Sequence, residues 1–327
     1  MDATHTTIIS QDRQLVSRPF SQLPTVIADA GNHASKRFLE FFTVTIRNRN
    51  TREAYARAAW RFFDWCDGRD VELALIEPML VSLYIEELGQ QLSKPTVKQQ
   101  LAAIRMLFDW LVTGQVVSSN PASAVRGPKH VVKQGKTHVL NADEARLLLD
   151  SIDTGTIAGL RDRALIGVMV YSFARVGAVV GMNAGDYIQR GRRMWFRLNE
   201  KGGKHHEVPA HHKVEVFVGA YLHAAGAVCE QKTPLFRSLN RHRQLTDRRI
   251  ARQEVLAMIK RRSRRARLSN LICCHTFRAT GITAYLENGG TLENAQRIAA
   301  HESPRTTSLY DRTGDEISLD EIERILI

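Results

Sequence analysis

The sequence predicts a mainly α-helical protein of two domains, the second of which also contains a small β-hairpin or sheet. Apolar residues recur at helical spacing along most of the chain, and one strand–turn–strand pattern is centred on a Gly-Gly pair. A basic segment punctuated by Pro and Gly separates two helical regions. The 327 residues suffice for two cores. We expect a flexible arm at 1–33, a helical domain at 34–127, a linker at 128–139 and a mixed domain at 140–327.

The first domain is predicted to be a small helical bundle. Asn50 and Glu53 have the spacing of a capping box, which indicates the start of a helix. Pro78 opens a second helix, and Pro95 lies in the first turn of a third. The apolar faces of these helices are expected to consist of Tyr55, Ala58, Ala59, Phe62, Phe63 and Cys66, then Leu80, Leu83, Tyr84 and Leu88, then Val97, Leu101, Ile104, Phe108 and Leu111.

The second domain is predicted to begin at a capping-box pattern formed by Asn141 and Glu144. An apolar helix over 161–174 leads directly to Arg175. Strands near 194–198 and 207–209 flank the turn Lys201-Gly202-Gly203-Lys204, which would place lysines at a hairpin tip. Further helices are predicted at about 212–226, 246–264, 276–288, 292–300, 304–311 and 318–326.

The composition excludes several classes of protein. Hydrophobic residues make up 43% and charged residues 24%, values typical of a globular chain. No run of 18 apolar residues occurs, so no transmembrane span is expected, and the N-terminal residues lack the pattern of a secretory signal. Four cysteines without CxxC spacing argue against a disulfide framework or a zinc site. We therefore expect a protein of the cytoplasm that needs no metal and no cofactor.

The charge balance points to a polyanionic partner. Lys and Arg number 46 against 34 acids, a net charge of +12, and nearly all of the surplus lies in residues 128–327. Between Arg237 and Arg267 there are 12 basic residues and only two acidic ones. Charges this dense repel each other unless an anion compensates them, which favours nucleic acid as the partner.

A few polar residues of the second domain stand in a pattern that suggests chemistry. His275 and Arg278 share one face at a helix start, where both side chains can approach the same anion. His301 follows 26 residues after His275, and Tyr310 follows nine residues later. Each residue alone has a common structural explanation, and Lys201 alone would be a solvated turn residue.

The ordered combination resembles the tyrosine recombinases, the phage-type integrases that include Xer-like site-specific recombinases. The residues that carry the resemblance are Arg175, Lys201, His275, Arg278, His301 and Tyr310, and the resemblance covers nearly the whole chain, with a helical domain, a linker and a mixed domain. The resemblance implies a helical, SAM-like core-binding domain and a mixed α+β catalytic domain. It also implies cleavage and rejoining of double-stranded DNA at a specific site through a 3′-phosphotyrosine, with no metal or ATP. Such enzymes act as tetramers on two DNA sites, in some cases with a second recombinase.

Two positions depart from the family pattern. Ala178 stands where a glutamate often follows the first arginine, and Ala300 stands where a glycine often precedes the second histidine. Asp186 falls where the family usually carries an acid. Neither Ala178 nor Ala300 replaces a group with a catalytic role.

The chemistry of these groups agrees with that reaction. Attack by a phenol on a phosphodiester adds charge to the non-bridging oxygens, which two guanidiniums, Arg175 and Arg278, stabilise without a metal. Lys201 would protonate the departing 5′-oxygen, and His275 would accept the proton of Tyr310. His301 would donate a hydrogen bond to a phosphate oxygen.

Other basic residues are expected to contact the DNA backbone. These are Lys94, Lys98, Arg105, Lys204, Arg241, Arg243, Arg248 and Arg249. The third helix of the first domain is expected to read the major groove. His205-His206 and His211-His212 are expected to face solvent or phosphate rather than a metal, since adjacent strand residues point to opposite faces. The predicted helix at 318–326 has an apolar face that would pack on its own subunit or on a neighbour.

Three alternative functions fit part of the pattern. A type IB topoisomerase uses nearly the same set of residues to relax DNA alone. A DNA-binding accessory protein with a silent active site would share the fold. A metal-dependent transposase or nuclease would need a carboxylate cluster, for which the sequence offers no convincing candidate.

Overall fold

The computed structural model describes residues 23–132, 135–200, 202–226 and 231–311. The chain divides into two compact units between Val131 and Val132. The predicted fold class is confirmed, because helices dominate and small antiparallel sheets accompany them. Among the residues that the structure describes, no helix is both long and apolar enough to cross a membrane.

The first unit is built from helices of very different length. They are α1 (Thr25–Asp29), α2 (Gly31–Glu40), α3 (Arg49–Asp67), α4 (Pro78–Gln91) and α5 (Lys94–Thr113). The arm predicted to reach residue 33 is therefore too long, because α1 and the start of α2 occupy its last residues. The reason is burial, since Ile27 and Ala34 are almost fully enclosed in the core of this unit.

Two local predictions for this unit need correction. Asn48, not Asn50, caps α3, and its side-chain oxygen accepts hydrogen bonds from the backbone N–H groups of Asn50 and Thr51 at 3.0 and 3.2 Å. Leu83 was expected to face inward but is 43% exposed, and Val81 on the neighbouring face is buried instead. Because α4 is apolar on several sides, helical spacing alone does not select its buried face.

The second unit combines helices with two antiparallel sheets. Its helices are α6 (Ala142–Asp150), α7 (Ile157–Tyr171), α8 (Val176–Gly181), α9 (His212–Ala224), α10 (Arg252–Arg265), α11 (Cys274–Glu287), α12 (Leu292–Ile298) and α13 (Pro304–Ser308). Its strands are β1 (Tyr187–Arg190), β2 (Arg193–Glu200), β3 (Lys204–Pro209), β4 (Arg237–Leu239) and β5 (Leu245–Arg249). Strands β1, β2 and β3 form one sheet in that order, and β4 pairs with β5.

The predicted hairpin is present, and both of its strands are longer than predicted. Strands β2 and β3 pair up to Glu200 opposite Lys204, and Gly202 and Gly203 at the turn have φ of 85° and 79°. Strand β1 adds a third strand that the sequence pattern did not reveal. The helix predicted from 246 begins only at Arg252, because the residues just before it form β5.

Close packing of α11 on α7 sets the geometry of the catalytic region. Gly281 of α11 lies so near α7 that a Cβ there would be 2.1 Å from the carbonyl oxygen of Val170. The same Cβ would be 2.8 Å from the ring of Phe173. The absence of a side chain at Gly281 therefore brings the helix that carries His275 and Arg278 against the end of the helix that leads to Arg175.

Candidate active site

Arg175 is placed by a strained turn at the end of α7. The helix stops at Tyr171, and Phe173 adopts φ of 55°, a left-handed conformation that is uncommon for a bulky residue. Its ring is buried in a small cluster that also contains Tyr310, which holds the turn in place. Arg175 then occupies the N-cap position of α8, with its side chain about one-third exposed.

Arg278 is buried and held by main-chain oxygens. Its side chain extends from the first turns of α11, and the residue is 1% exposed. The guanidinium donates hydrogen bonds to the carbonyl oxygens of Phe173 and Ala299, the second at 2.6 Å. Its Nε is buried without a partner among residues placed by the structure. Ala300, which follows one of these acceptors, has φ of 48°, a conformation that suits the glycine expected there.

Tyr310 meets both histidines. Its hydroxyl oxygen lies 2.8 Å from Nε2 of His275, which sits at the solvent-facing side of the site. Its ring stacks on the imidazole of His301, with centroids 5.7 Å apart and planes inclined by 7°. Nδ1 of His301 lies 2.9 Å from the hydroxyl of Thr307, and Thr283 donates a hydrogen bond to the carbonyl oxygen of Tyr310 at 3.0 Å. The phenol therefore has a defined position.

A carboxylate that sequence reasoning did not select contacts Arg175. Oε2 of Glu200 accepts a hydrogen bond from Nη1 of Arg175 at 2.6 Å, and the Glu200 side chain is only 2% exposed. The signal was present in the alternation of β2, where Phe196, Leu198 and Glu200 all face inward. A charged residue at an inward position of a strand indicates a buried partner.

The structure brings five of the six predicted residues together, while the sixth, Lys201, lies outside the described residues. Contacts connect Tyr310 to His275 and His301, and Arg278 donates hydrogen bonds to the carbonyl oxygens of Phe173 and Ala299, two residues before Arg175 and His301 respectively. The residues on either side of Lys201 belong to the hairpin, with Glu200 beside Arg175. Asp186 accepts a hydrogen bond from the backbone N–H of Asn183 as part of a local capping box.

The electrostatics favour neutral histidines. Desolvation, then the charges of Arg278 and Arg175, lower the pKa of His275 below 6.5. Burial, then the same two arginines and His275, lower the pKa of His301 to about 3. Burial, then Arg175, lower the pKa of Arg278 to about 10, so it remains charged at pH 7.

The phenol itself is protonated at neutral pH. Burial raises the pKa of Tyr310 above its usual value near 10, and Arg278 and Arg175 only partly oppose that rise. A neutral imidazole next to a protonated phenol is the arrangement in which the imidazole accepts the phenol proton.

The expected DNA contacts divide into two groups. Lys94, Lys98, Lys204, Arg241 and Arg243 have exposed side chains that are available to phosphate. Arg248 is exposed as well but forms a two-fold hydrogen-bonded pair with Glu254.

Arg105 and Arg249, which are also expected to contact DNA, donate hydrogen bonds to main-chain oxygens of their own unit. Arg105 donates hydrogen bonds to the carbonyl oxygens of Ala122, at 3.0 Å, and Val125. Arg249 donates to the carbonyl oxygens of Val180 and Met182 at 2.6 and 2.7 Å. Charge density alone did not distinguish such structural arginines from exposed ones.

Part of the basic run 237–267 also serves the core. Asp162, with no exposed surface, accepts hydrogen bonds from Arg161 and Arg262, both of which are buried. Burying a carboxylate requires such partners, so Arg262 stabilises the packing of α10 on α7.

One histidine of each pair is less solvated than expected, namely His206 and His211, whereas His205 and His212 are exposed. Nε2 of His206 lies 2.9 Å from the carbonyl oxygen of Ile298, which ties β3 to the end of α12. His211 stacks on Tyr171 with centroids 4.4 Å apart, and its Nδ1 accepts a hydrogen bond from the backbone of Lys213. Within the ranges that the structure describes, no cluster of three His, Cys, Asp or Glu side chains suited to a metal ion occurs.

Comparison with family models decides the class of protein. The model described as "Phage integrase family" matches residues 138–316, more than half of the chain. The chain belongs to the phage integrase family. The model described as "Phage integrase, N-terminal SAM-like domain" matches residues 36–115, so both halves of this site-specific DNA recombinase have family counterparts.

Relatives of this recombinase are named tyrosine recombinases. "Tyrosine recombinase XerC" of Pelobacter propionicus is 29% identical over 291 residues, which cover 89% of this chain and 90% of the relative. "Tyrosine recombinase XerC" of Chlamydia muridarum is 30% identical over 233 residues, which cover 70% of this chain and 71% of the relative.

Solved structures show the same fold. XerH site-specific recombinase bound to palindromic difH substrate aligns with a TM-score of 0.68 and 17% identity, covering 96% of this chain and 92% of that one. A lambda integrase tetramer bound to a Holliday junction aligns with a TM-score of 0.66 and 16% identity, covering 97% and 90%. None of these comparisons supports the topoisomerase or the silent accessory protein.

Proposed function

We propose that Tyr310 is the nucleophile of this recombinase and that its phenolic oxygen attacks the scissile phosphate of one DNA strand. The oxygen–phosphorus bond forms as the phosphorus–O5′ bond breaks, which leaves a 3′-phosphotyrosine and a free 5′-hydroxyl. The observation that supports the proposal is the 2.8 Å separation between the Tyr310 hydroxyl and Nε2 of His275, next to Arg278. The reverse reaction with a second 5′-hydroxyl rejoins strands without ATP.

The other site residues stabilise charge and move protons in this proposal. The phenol proton passes to Nε2 of His275 as the oxygen attacks. Arg175 and Arg278 stabilise the charge that develops on the non-bridging oxygens. His301 binds a phosphate oxygen, and Lys201 gives its proton to the departing 5′-oxygen. None of these steps requires a metal.

The DNA partner and the assembly belong to the same proposal. The exposed side chains of Lys94, Lys98, Lys204, Arg241 and Arg243 bind backbone phosphate, and α5 reads the major groove. We infer a tetramer on two sites in the bacterial cytoplasm, in line with the tetramer described for lambda integrase on a Holliday junction. The helix predicted at 318–326, which lies outside the described residues, would dock on its own or a neighbouring subunit.

A covalent trapping experiment tests the proposal. The DNA captured by the protein in its host is sequenced to define the site, which is then prepared as a nicked suicide duplex. We expect the wild-type protein to form an adduct that survives denaturation in the presence of EDTA. Tyr310→Phe, which keeps the ring stacked on His301, should bind the duplex and form no adduct. Adduct formation by Tyr310→Phe would overturn the assignment.

A further inference from the structure

We propose that Glu200 is a positioning residue for the recombination reaction, fixing the guanidinium of Arg175 in the place of the carboxylate that position 178 lacks. The inference rests on the proposed function, since it concerns how Arg175 meets the scissile phosphate. It assigns a role to a strand residue immediately before the hairpin lysine, in a part of the chain far in sequence from Arg175.

The contact itself is close and largely removed from water. Oε2 of Glu200 accepts a hydrogen bond from Nη1 of Arg175 at 2.6 Å, and Oε1 lies 3.4 Å from the backbone nitrogen of Arg175. The Glu200 side chain is 2% exposed, whereas that of Arg175 is 35% exposed. The buried carboxylate of Glu200 therefore contacts both the side chain and the main chain of Arg175.

This arrangement leaves the open edge of the guanidinium for substrate. Nε and Nη2 of Arg175 have no hydrogen-bond partner in the parts of the chain that the structure describes. A planar guanidinium fixed at one nitrogen presents its remaining donors in a set direction, which suits two-fold binding of a phosphate. A freely rotating side chain would have to be ordered during the reaction.

The charge of Glu200 also balances two neighbouring cations. Burial and then Arg175 lower the pKa of Arg278, and Glu200, hydrogen-bonded to Arg175, opposes that decrease. Two guanidiniums brought together without an anion repel, and a buried carboxylate reduces that repulsion while the site is empty.

Position 178 offers no carboxylate to Arg175. Ala178 lies on α8, three residues after Arg175, and is 4% exposed, so it offers only a methyl group to its surroundings. Glu200 reaches Arg175 from β2 instead. The supporting carboxylate is thus supplied by the sheet rather than by the helix.

The test measures single-turnover adduct formation on three forms of the suicide duplex. One has the ordinary scissile phosphate, one a methylphosphonate there, and one a 5′-bridging phosphorothiolate. Glu200→Gln keeps the shape of the side chain and removes its charge. We expect the rate on the ordinary phosphate to fall by as much as about 100-fold, with DNA affinity unchanged.

The modified substrates report which group Glu200 acts through. A methylphosphonate lacks the charge that Arg175 neutralises, so the loss should shrink to a few-fold at most. A thiolate leaves without a proton, so the phosphorothiolate should leave the loss unchanged. An equal loss on the methylphosphonate, or full recovery on the phosphorothiolate, would overturn the inference, the latter because Glu200 would then act through Lys201.

Controls separate this inference from folding and from the proposed function. Glu207→Gln removes a carboxylate of β3 that pairs with Arg197 and Arg190 at the surface, and it should leave all three rates unchanged. Thermal unfolding checks each variant, and Glu200→Asp replaces Glu200→Gln if the latter unfolds early.

In a protein with Arg175→Ala, Glu200→Gln should cause no further loss of the adduct-formation rate. An adduct on Tyr310 that forms at the same rate in Glu200→Gln would refute only the role of Glu200, whereas an adduct in Tyr310→Phe would refute the nucleophile.

Discussion

The hydroxyl oxygen of Tyr310 and Nε2 of His275 lie 2.8 Å apart within a single chain. The proposed nucleophile and its proposed proton acceptor are therefore brought together by the fold of one subunit, through contacts of Tyr310, which follows α13, with α11. Thr283 of α11 strengthens this contact through its hydrogen bond to the Tyr310 carbonyl oxygen.

Cleavage is expected to occur in cis. If each subunit uses its own Tyr310, a mixture of Tyr310→Phe and His275→Ala proteins contains no subunit with both groups. We expect that mixture to form no more adduct on the suicide duplex than either variant alone. Adduct formation that appears only on mixing would show instead that tyrosine is donated between subunits.

Cleavage is expected to weaken at acidic pH because His275 must be neutral to accept a proton. Its pKa lies below the ordinary 6.5, so the single-turnover rate should be level near pH 7 and should fall only well below pH 6.5. His275→Gln should be slow throughout and lack this decline. A wild-type rate that already falls between pH 7.5 and 6.5 would contradict the neutral, pKa-lowered imidazole.

His301 is expected to make folding stability depend on pH. Its pKa is about 3 in the folded protein and near 6.5 when exposed, so the unfolded chain binds the extra proton between those values. Stability contributed by the neutral form is thus complete above pH 6.5 and is lost as the pH falls towards 3, by up to about 1.4 kcal/mol per pH unit.

Urea titrations between pH 4 and 7 measure this effect. His301→Gln should flatten the dependence relative to wild type, while His223→Gln, which changes an exposed histidine, should leave it as it is. An unchanged slope in His301→Gln would mean that other groups account for the loss at low pH.

Gly281→Ala is expected to unfold the catalytic unit more easily. The added methyl group would lie 2.1 Å from the Val170 oxygen, so α11 must move away from α7, at a cost of about 1–3 kcal/mol or more. Gly89→Ala is the matched control, because Gly89 lies on α4 with nothing within 4 Å of an added Cβ. That variant should gain about 0.5–1 kcal/mol from helix propensity. Equal melting temperatures for both variants would contradict the close approach of α11 to α7.

The sequence was most informative where function restricts residue type. The ordered set from Arg175 to Tyr310 identified five groups that the fold brings together, although they are spread over 136 residues of the numbering. The capping box of Asn141 and Glu144 and the paired glycines of the hairpin were equally readable, because backbone geometry demands those residues.

Features that depend on distant contacts were harder to predict. The residues of β5 were predicted to begin a helix. The hydrogen bonds of Arg249 were not predicted either, because their acceptors, the carbonyl oxygens of Val180 and Met182, are far away in the sequence. Glu200 shows the same limit, since its inward position was readable but its partner was not. Tertiary contacts, not local preference, decide these cases.

The most direct test of the account is the chemical identity of the covalent adduct. Protein trapped on its sequenced DNA site is digested with protease and nuclease, and the modified peptide is identified by mass spectrometry. We predict a nucleotide attached through its 3′-phosphate to the oxygen of Tyr310. Attachment to any other side chain, or through a 5′-phosphate, would contradict the mechanism.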